Sequence, residues 1–195
     1  MTTDFRFWSN EREIMNEELE VLKEVTKRLD EGRISYLVSG SIAANYYTIP
    51  RMTRDLDVVV EMKVTDIDRF IRLFQADFFV DPEMVREEVK QRGMFNLIHT
   101  KYVMKIDFIL RKESAWQETA FSRRKKISID SIPVWIISLE DLILAKLLWA
   151  QDSLSELQLN DVRSLLKSDQ RLEQEYLKKW VQALNLENVY QKVQE

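Results

Sequence analysis

The stretch YLVSGSIAANYYTIPRMTRDLDVVV, Tyr36 to Val60, decides how the chain is read. It predicts an apolar strand over Tyr36, Leu37 and Val38, a tight turn at Ser39, Gly40 and Ser41, a short helix over Ser41 to Tyr47, and a second strand opening on two aspartates. Asp55 and Asp57 lie two residues apart, so on an extended backbone both carboxylates share one face while Leu56, Val58 and Val60 point to the other. Like charges side by side repel, and a strand tolerates them where a cation or proton intervenes. A hard cation such as Mg²⁺ takes oxygen ligands and bridges protein carboxylates to substrate phosphates. The glycine turn supplies the complementary half, because backbone N–H groups and a helix N-terminus favour anions. The two halves together predict a metal–nucleotide site.

Outward from this stretch, Asn10 and Glu13 predict a capped helix start, with Met15, Leu19, Leu22, Thr26 and Leu29 at helical spacing until Gly32. Pro50 breaks the chain before Arg51. Thr65 to Ala76 reads as an amphipathic helix, Asp77 to Asp81 as a short strand or turn, and Pro82 to Gln91 as a helix with proline at its start. FNLIHT and YVMKIDFIL, joined near Thr100 and Lys101, predict a hairpin. A helix over Ser114 to Ser122 and strands over Lys126 to Ile129 and Val134 to Ile137 follow. Everything after Ser138 reads as helical, with Ser138 and Asp141 at capping-box spacing and two amphipathic segments, Leu154 to Lys167 and Leu172 to Leu184, meeting in a loop at Ser168 and Asp169. Gln151 to Ser153 is the linker candidate, and no internal repeat is visible.

Asp107 lies within Met104 to Leu110 among Ile106, Phe108, Ile109 and Leu110. An ionised carboxylate in such a strand needs a partner or a metal, so it either pairs with Lys105 or an arginine, or serves as a third ligand or base. Lys146 is the only charge between Leu142 and Ala150. It either snorkels out of an apolar stripe or reaches triphosphate oxygens. Arg51 and Arg54 flank the acid pair as carboxylate partners or as a phosphate clamp. His99 is the sole histidine, which excludes a histidine-based zinc site and predicts a structural role at the hairpin end. The run Arg123-Arg124-Lys125-Lys126 is a solvated strand edge or a contact for a polyanion. Tyr46, Tyr47 and the five tryptophans read as core or helix-packing residues.

With 195 residues, 45% apolar and 32% charged, the chain supports one sizeable core or a domain with a smaller appendage. A net charge of −4 argues against a protein that wraps nucleic acid. No cysteine occurs, so disulfides and thiolate metal sites are excluded, in keeping with a cytoplasmic setting. Neither a signal peptide nor a run approaching the ~20 apolar residues of a membrane span is legible, and the expectation is a soluble protein.

Strand, Gly40-Ser41, helix, then Asp55-x-Asp57 and a lone Asp107 on a later strand: this order resembles the nucleotidyltransferase superfamily with the polymerase-β-like fold. The phrase Arg51-x-Thr53-Arg54-Asp55-Leu56-Asp57, followed by a helical tail with Leu139-Glu140-Asp141-Leu142 and Lys146, resembles bacterial nucleotidyltransferase-like families that include abortive-infection toxins. The resemblance implies an α/β (α+β) fold, a mixed sheet with flanking helices and a C-terminal helical extension, divided as 1–137 and 138–195. It implies that Gly40 and Ser41 hold a nucleoside triphosphate, that Asp55, Asp57 and Asp107 ligate Mg²⁺ or Mn²⁺, and that Asp107 helps deprotonate the incoming hydroxyl. Lys146 and Asp161 fit places that line the site in the toxin-like relatives. Gly-Ser stands where the superfamily often has Gly-Gly. Two functions are implied. One is transfer of a nucleoside monophosphate to a hydroxyl on an RNA end, a protein or a small molecule, with an antitoxin partner if the chain is a toxin. The other is a non-catalytic nucleotide-binding module.

Overall fold

The structure, a computed structural model, describes residues 4–53, 55–153, 155–168 and 171–194, with side chains described from Asn16 onward except at 152 and 153. Arg54, Leu154 and Asp169, to which the sequence reading gives roles, therefore lie outside the described residues. The elements run α1 (Asp4–Glu31), β1 (Ser35–Val38), α2 (Gly40–Tyr47), β2 (Asp55–Glu61), a 3₁₀ turn (Val64–Asp66), α3 (Ile67–Phe74), β3 (Phe78–Phe79), α4 (Pro82–Gln91), β4 (Met94–His99) and β5 (Lys105–Leu110). They continue with α5 (Ala115–Ser122), β6 (Lys125–Ile129), β7 (Ile132–Ile136), α6 (Leu139–Ser153), α7 (Glu156–Leu166), α8 (Gln174–Ala183) and α9 (Glu187–Gln194).

Among the described residues the strands form one mixed sheet in the order β3-β4-β5-β2-β1-β7-β6. β1 is antiparallel to β2, while β2–β5 and β1–β7 are parallel. Period-two alternation sorts β2 between two layers. Leu56, Val58 and Val60 are buried in a cluster with Leu22 and Leu29 of α1, Phe70 and Phe74 of α3, and Phe95 and Phe108 of β4 and β5. Asp55, Asp57 and Val59 face the other layer, where α6 lays Leu142, Ile143 and Leu147 against Leu37 of β1 and Ile136 of β7. The helical tail thus covers the sheet face that carries the acids.

Local chemistry sets the element ends. Asp81 accepts from the N–H groups of Glu83 (3.0 Å) and Met84 (3.2 Å), with Pro82 opening α4. Ser138 Oγ accepts from the N–H of Asp141 at 3.2 Å and donates to its carboxylate at 2.6 Å, so the predicted cap forms. Tyr47 of α2 is buried and donates to the carbonyl of Ile137 at 2.8 Å, fastening the helix after the glycine turn to the end of β7, the strand beside β1. Tyr47→Phe is therefore expected to lower stability by about 1 kcal/mol, measured by urea denaturation, through loss of one buried hydrogen bond and exposure of an unpaired carbonyl.

Several elements differ from the sequence reading. α1 begins at Asp4, ahead of the expected cap at Asn10, because a cap-forming residue permits a helix start without forcing one. Gln151 to Ser153 is the last turn of α6 and no linker. β7 begins at Ile132, before Pro133, because Asp130 (φ 46°) and Ser131 (φ 68°) make a two-residue hairpin turn of the kind that matches strand twist. α9 falls within the helical reading after Ser138 but was not set apart as an element, although Val189, Tyr190 and Val193 stand at helical spacing and pack on the tail's core. The basic run is not one patch. Arg123 bonds Glu140 (3.2 Å), Asp141 (3.3 Å) and Glu173 (2.9 Å), and Arg124 lies over the rings of Phe121 and Trp135, so two of its four charges serve packing.

His99 is buried in a structural role, its Nε2 3.1 Å from Glu24 and its Nδ1 accepting from the N–H groups of Lys101 and Tyr102 in the hairpin loop. No helix among the described residues is long and apolar enough to cross a membrane.

Candidate active site

The site starts from the parallel register of β2 and β5, which sets Asp55 opposite Lys105 and Asp57 opposite Asp107. Both central carboxylates therefore stand side by side on the face beneath α6. Asp107 is 7% exposed; its Oδ2 accepts from Lys105 Nζ at 2.8 Å, while its Oδ1 is buried with no hydrogen-bond partner. The pairing with Lys105 is one of the two readings the sequence left open, and it uses only one of the two oxygens. Lys105 Nζ also lies 4.0 Å from Asp55 Oδ1, so one ammonium sits between the exposed and the buried acid. Burial, then the neighbouring Asp107 charge, pushes the Asp57 carboxyl up to about 6, against the opposing pull of Lys146 and Lys105.

The glycine turn closes on this pair. The N–H of Ser39 donates to the carbonyl of Asp57 at 2.9 Å, tying the end of β1 to β2. Gly40 then takes φ +61°, and a Cβ placed there would stand 1.7 Å from Asp57 Oδ2. Only glycine combines that backbone angle with that approach. Ser41, next in α2, accepts from Arg51 Nη2 at 3.0 Å.

Arg51 begins a chain of polar contacts into the helical tail. It donates to Asp161 at 3.0 Å, and Asp161 accepts from Lys146 Nζ at 2.7 Å; Lys146 also donates to Gln158 Oε1 at 3.1 Å. Burial would raise the Asp161 carboxyl, but the hydrogen bonds and charges of Arg51 and Lys146 outweigh it and hold it below the usual carboxylate value. Asn45 clamps the Arg51 backbone from both sides, donating to its carbonyl at 2.7 Å and accepting from its N–H at 3.0 Å. Glu18 of α1 accepts from the N–H of Thr53 at 3.0 Å and so fixes the segment that enters β2.

These elements enclose a cleft of about 470 Å³ lined by Gly40, Ser41, Arg51, Asp55, Asp57, Lys105, Asp107 and Lys146, with Trp149 and Gln158 at its tail side. The fold thus brings all the described candidate residues together, Asp161 included through its bonds to Arg51 and Lys146. Lys105, Asn45, Gln158 and Trp149 were not singled out as site residues. For Trp149, 55% exposed in α6 one turn from Lys146, that spacing was the available signal. It also corrects the expectation that every tryptophan is a packing residue.

Among the described residues no three acidic or histidine side chains converge closely enough to enclose a cation unaided. The donor set is nevertheless all oxygen, and the orphaned Oδ1 of Asp107 lacks the partner that a buried carboxylate oxygen requires. Both features fit a hard divalent cation completed by substrate oxygens.

No family model and no curated protein matches this sequence. Solved structures do. The solution structure of the antibiotic-resistance factor ANT(2'')-Ia superposes with a TM-score of 0.61 at 11% identity, covering 92% of this chain and 99% of that one. The same protein in complex with adenylyl-2''-tobramycin gives 0.53 at 14% identity over 86% and 98%. The lincosamide antibiotic adenylyltransferase LnuA, bound to lincomycin, gives 0.50 at 14% over 73% and 92%. The chain has the nucleotidyltransferase fold.

Within this nucleotidyltransferase fold the tail helices supply the cleft's buried cation, Lys146, which is 4% exposed. Lys146→Met is expected to cost about 1–3 kcal/mol, because Arg51 keeps Asp161 paired. Asp161→Leu should cost more, leaving the buried ammonium with Gln158 alone. Urea denaturation of the two variants checks that order.

Proposed function

We propose that the chain is a divalent-metal-dependent nucleotidyltransferase that moves a nucleoside monophosphate from a nucleoside triphosphate to a hydroxyl acceptor. The observation that carries this reading is the in-register Asp57–Asp107 pair, one oxygen of it orphaned, lying against the Gly40 turn in a single cleft. The likeness of fold to an antibiotic-resistance factor and to a lincosamide antibiotic adenylyltransferase supports it.

Asp55, Asp57 and Asp107 would hold Mg²⁺ or Mn²⁺, which when bound polarises phosphoryl oxygens and makes a hydroxyl at the site easier to deprotonate. Gly40 admits the phosphates close to the backbone, and Ser41 Oγ and Arg51 offer donors to their oxygens. Lys146 offsets charge that gathers on the leaving pyrophosphate. Asp107 helps take the acceptor's proton through Oδ2, while Oδ1 would serve the cation, as the acceptor oxygen bonds to the α-phosphorus and the bond from that phosphorus to the α–β bridging oxygen breaks. α6 and α7, within the span 138–195 read as a helical subdomain, close the cleft over these groups and limit water. No covalent nucleophile is required, since positioning and electrostatics carry phosphoryl chemistry of this kind.

The test offers α-labelled nucleoside triphosphates with Mg²⁺ and cell extract to the wild type and to Asp57→Ala. Label should pass to an acceptor with release of pyrophosphate in the wild type alone. Equal release by both proteins would overturn the reading.

A further inference from the structure

A second cavity, of about 410 Å³, opens beside the acid cleft and shares with it Ser39, Ile109, Ala145 and Trp149. We infer that it is the acceptor subsite, and that it takes an uncharged or anionic, largely apolar hydroxyl compound rather than a polycation. This rests on the transfer reading above and adds a substrate class to it.

The sheet register is the first argument. The row Asp57–Asp107, closed by Ser39 bonding the carbonyl of Asp57, is followed two residues on by the row Leu37–Val59–Ile109, paired strand to strand across β1, β2 and β5. Alternation puts both rows on the same face, about 7 Å apart. Leu37, Val59 and Ile109 line the second cavity, so its floor continues the acid row along the strands. On the opposite side of the acids stand Asp55 and Lys105, and Gly40, Ser41, Arg51 and Lys146 line the first cleft and not the second. In-line transfer requires the incoming oxygen and the departing pyrophosphate on opposite sides of the phosphorus. Phosphates held at the Gly40–Arg51 side leave the Val59–Ile109 side for the acceptor.

Chemistry is the second argument. Phe121, Ile137 and Leu148 add to the apolar wall, no acidic side chain among the described residues lines the cavity, and the charges that do are Arg111 and Lys112 at the far end. Arg111 bonds Glu61 at 2.6 Å, so Lys112, which is exposed, gives the rim its positive character. A polycation would bury ammonium groups there without a counter-charge, which is costly. The volume suits a ligand of one to three rings.

The probe is 1-anilinonaphthalene-8-sulfonate, an apolar anion followed by fluorescence, with tobramycin as the polycationic competitor and binding of an equimolar mixture of the four Mg–nucleoside triphosphates read separately by calorimetry. The dye should bind one to one and stay bound when the triphosphates saturate the protein. Leu148→Trp should weaken it at least tenfold and Lys112→Glu, an exposed change that leaves the core alone, about threefold. Neither variant should alter triphosphate affinity, and tobramycin should not compete. Displacement of the dye by triphosphates would assign the cavity to the nucleotide and overturn the inference while leaving the transfer reading intact. Displacement by tobramycin, or unchanged dye binding in both variants, would also overturn it. Absence of triphosphate binding in the wild type would remove the transfer reading and this inference with it.

Discussion

Gly40→Ala is expected to abolish nucleotide binding and transfer, with a loss of at least a hundredfold, and to destabilise the protein by about 2–4 kcal/mol. Two effects coincide at this residue. A φ of +61° is strained for any residue with a Cβ, and the added carbon would lie 1.7 Å from Asp57 Oδ2 and 2.8 Å from Asp57 Cβ. Because even the root of the aspartate is too close, no rotamer of Asp57 relieves the overlap. The turn must move away from β2, carrying Ser41 and the first backbone N–H groups of α2 with it. Gly93→Ala is the control: its Cβ would meet Glu88 Oε2, the end of a flexible side chain, at 1.8 Å. That variant should lose about 1 kcal/mol, because Glu88 can swing away and forfeits its bond to the N–H of Met94 and an exposed bond from Gln91 Nε2. Urea melts and calorimetry on the two variants separate a steric effect specific to the site from a general intolerance of alanine.

Asp57→Asn is expected to lower transfer at least a thousandfold while making the metal-free protein more stable at neutral pH. Burial and Asp107 raise the Asp57 carboxyl from 3.8 in a model peptide to about 6 in the fold. Below about pH 4 the group is protonated folded or unfolded and contributes nothing. Between 4 and 6 the folded protein keeps a proton that the unfolded chain releases, so stability falls as pH rises, and above 6 the full cost of the buried charge is present. That cost is at most about 3 kcal/mol, and asparagine should recover about 1–3 kcal/mol of it at pH 7.5 in EDTA, with the gain vanishing at pH 4. Denaturation of both proteins across that range checks the sign. A variant less stable than the wild type at pH 7.5 would mean that Asp57 is already neutralised by Lys146 and Lys105. A group expected to weaken the fold yet to be needed for the proposed transfer has the character of a cation ligand.

Much of the fold was legible because its signals are local. The alternation in Tyr36 to Val60 places Leu56 and Val58 in one layer and Asp55 and Asp57 in the other, and Asp81-Pro82 and Ser138 start helices where their caps require. What the local pattern left open depends on distance in space. That Asp107 falls opposite Asp57 is a matter of strand register, set by how β2 and β5 align and not by either strand alone. Lys105 beside Asp107 was legible as one of two readings because residues two apart share a strand face, whereas the Arg51–Asp161 bond joins residues 110 positions apart. Asn45 carries no motif; its role exists only because α2 returns beside the loop after Pro50. The absorption of Arg123 by Glu140, Asp141 and Glu173 likewise needed the helical tail in place before a basic run could be recognised as structural.

The most direct test of a joint metal–nucleotide site is calorimetric titration of each nucleoside triphosphate into the wild type and Asp107→Asn, with Mg²⁺ and with EDTA. At least one triphosphate should bind the wild type saturably in Mg²⁺, at least tenfold more weakly in EDTA, and at least tenfold more weakly to the variant. Binding that is indifferent to both the cation and the change at Asp107 would contradict the account.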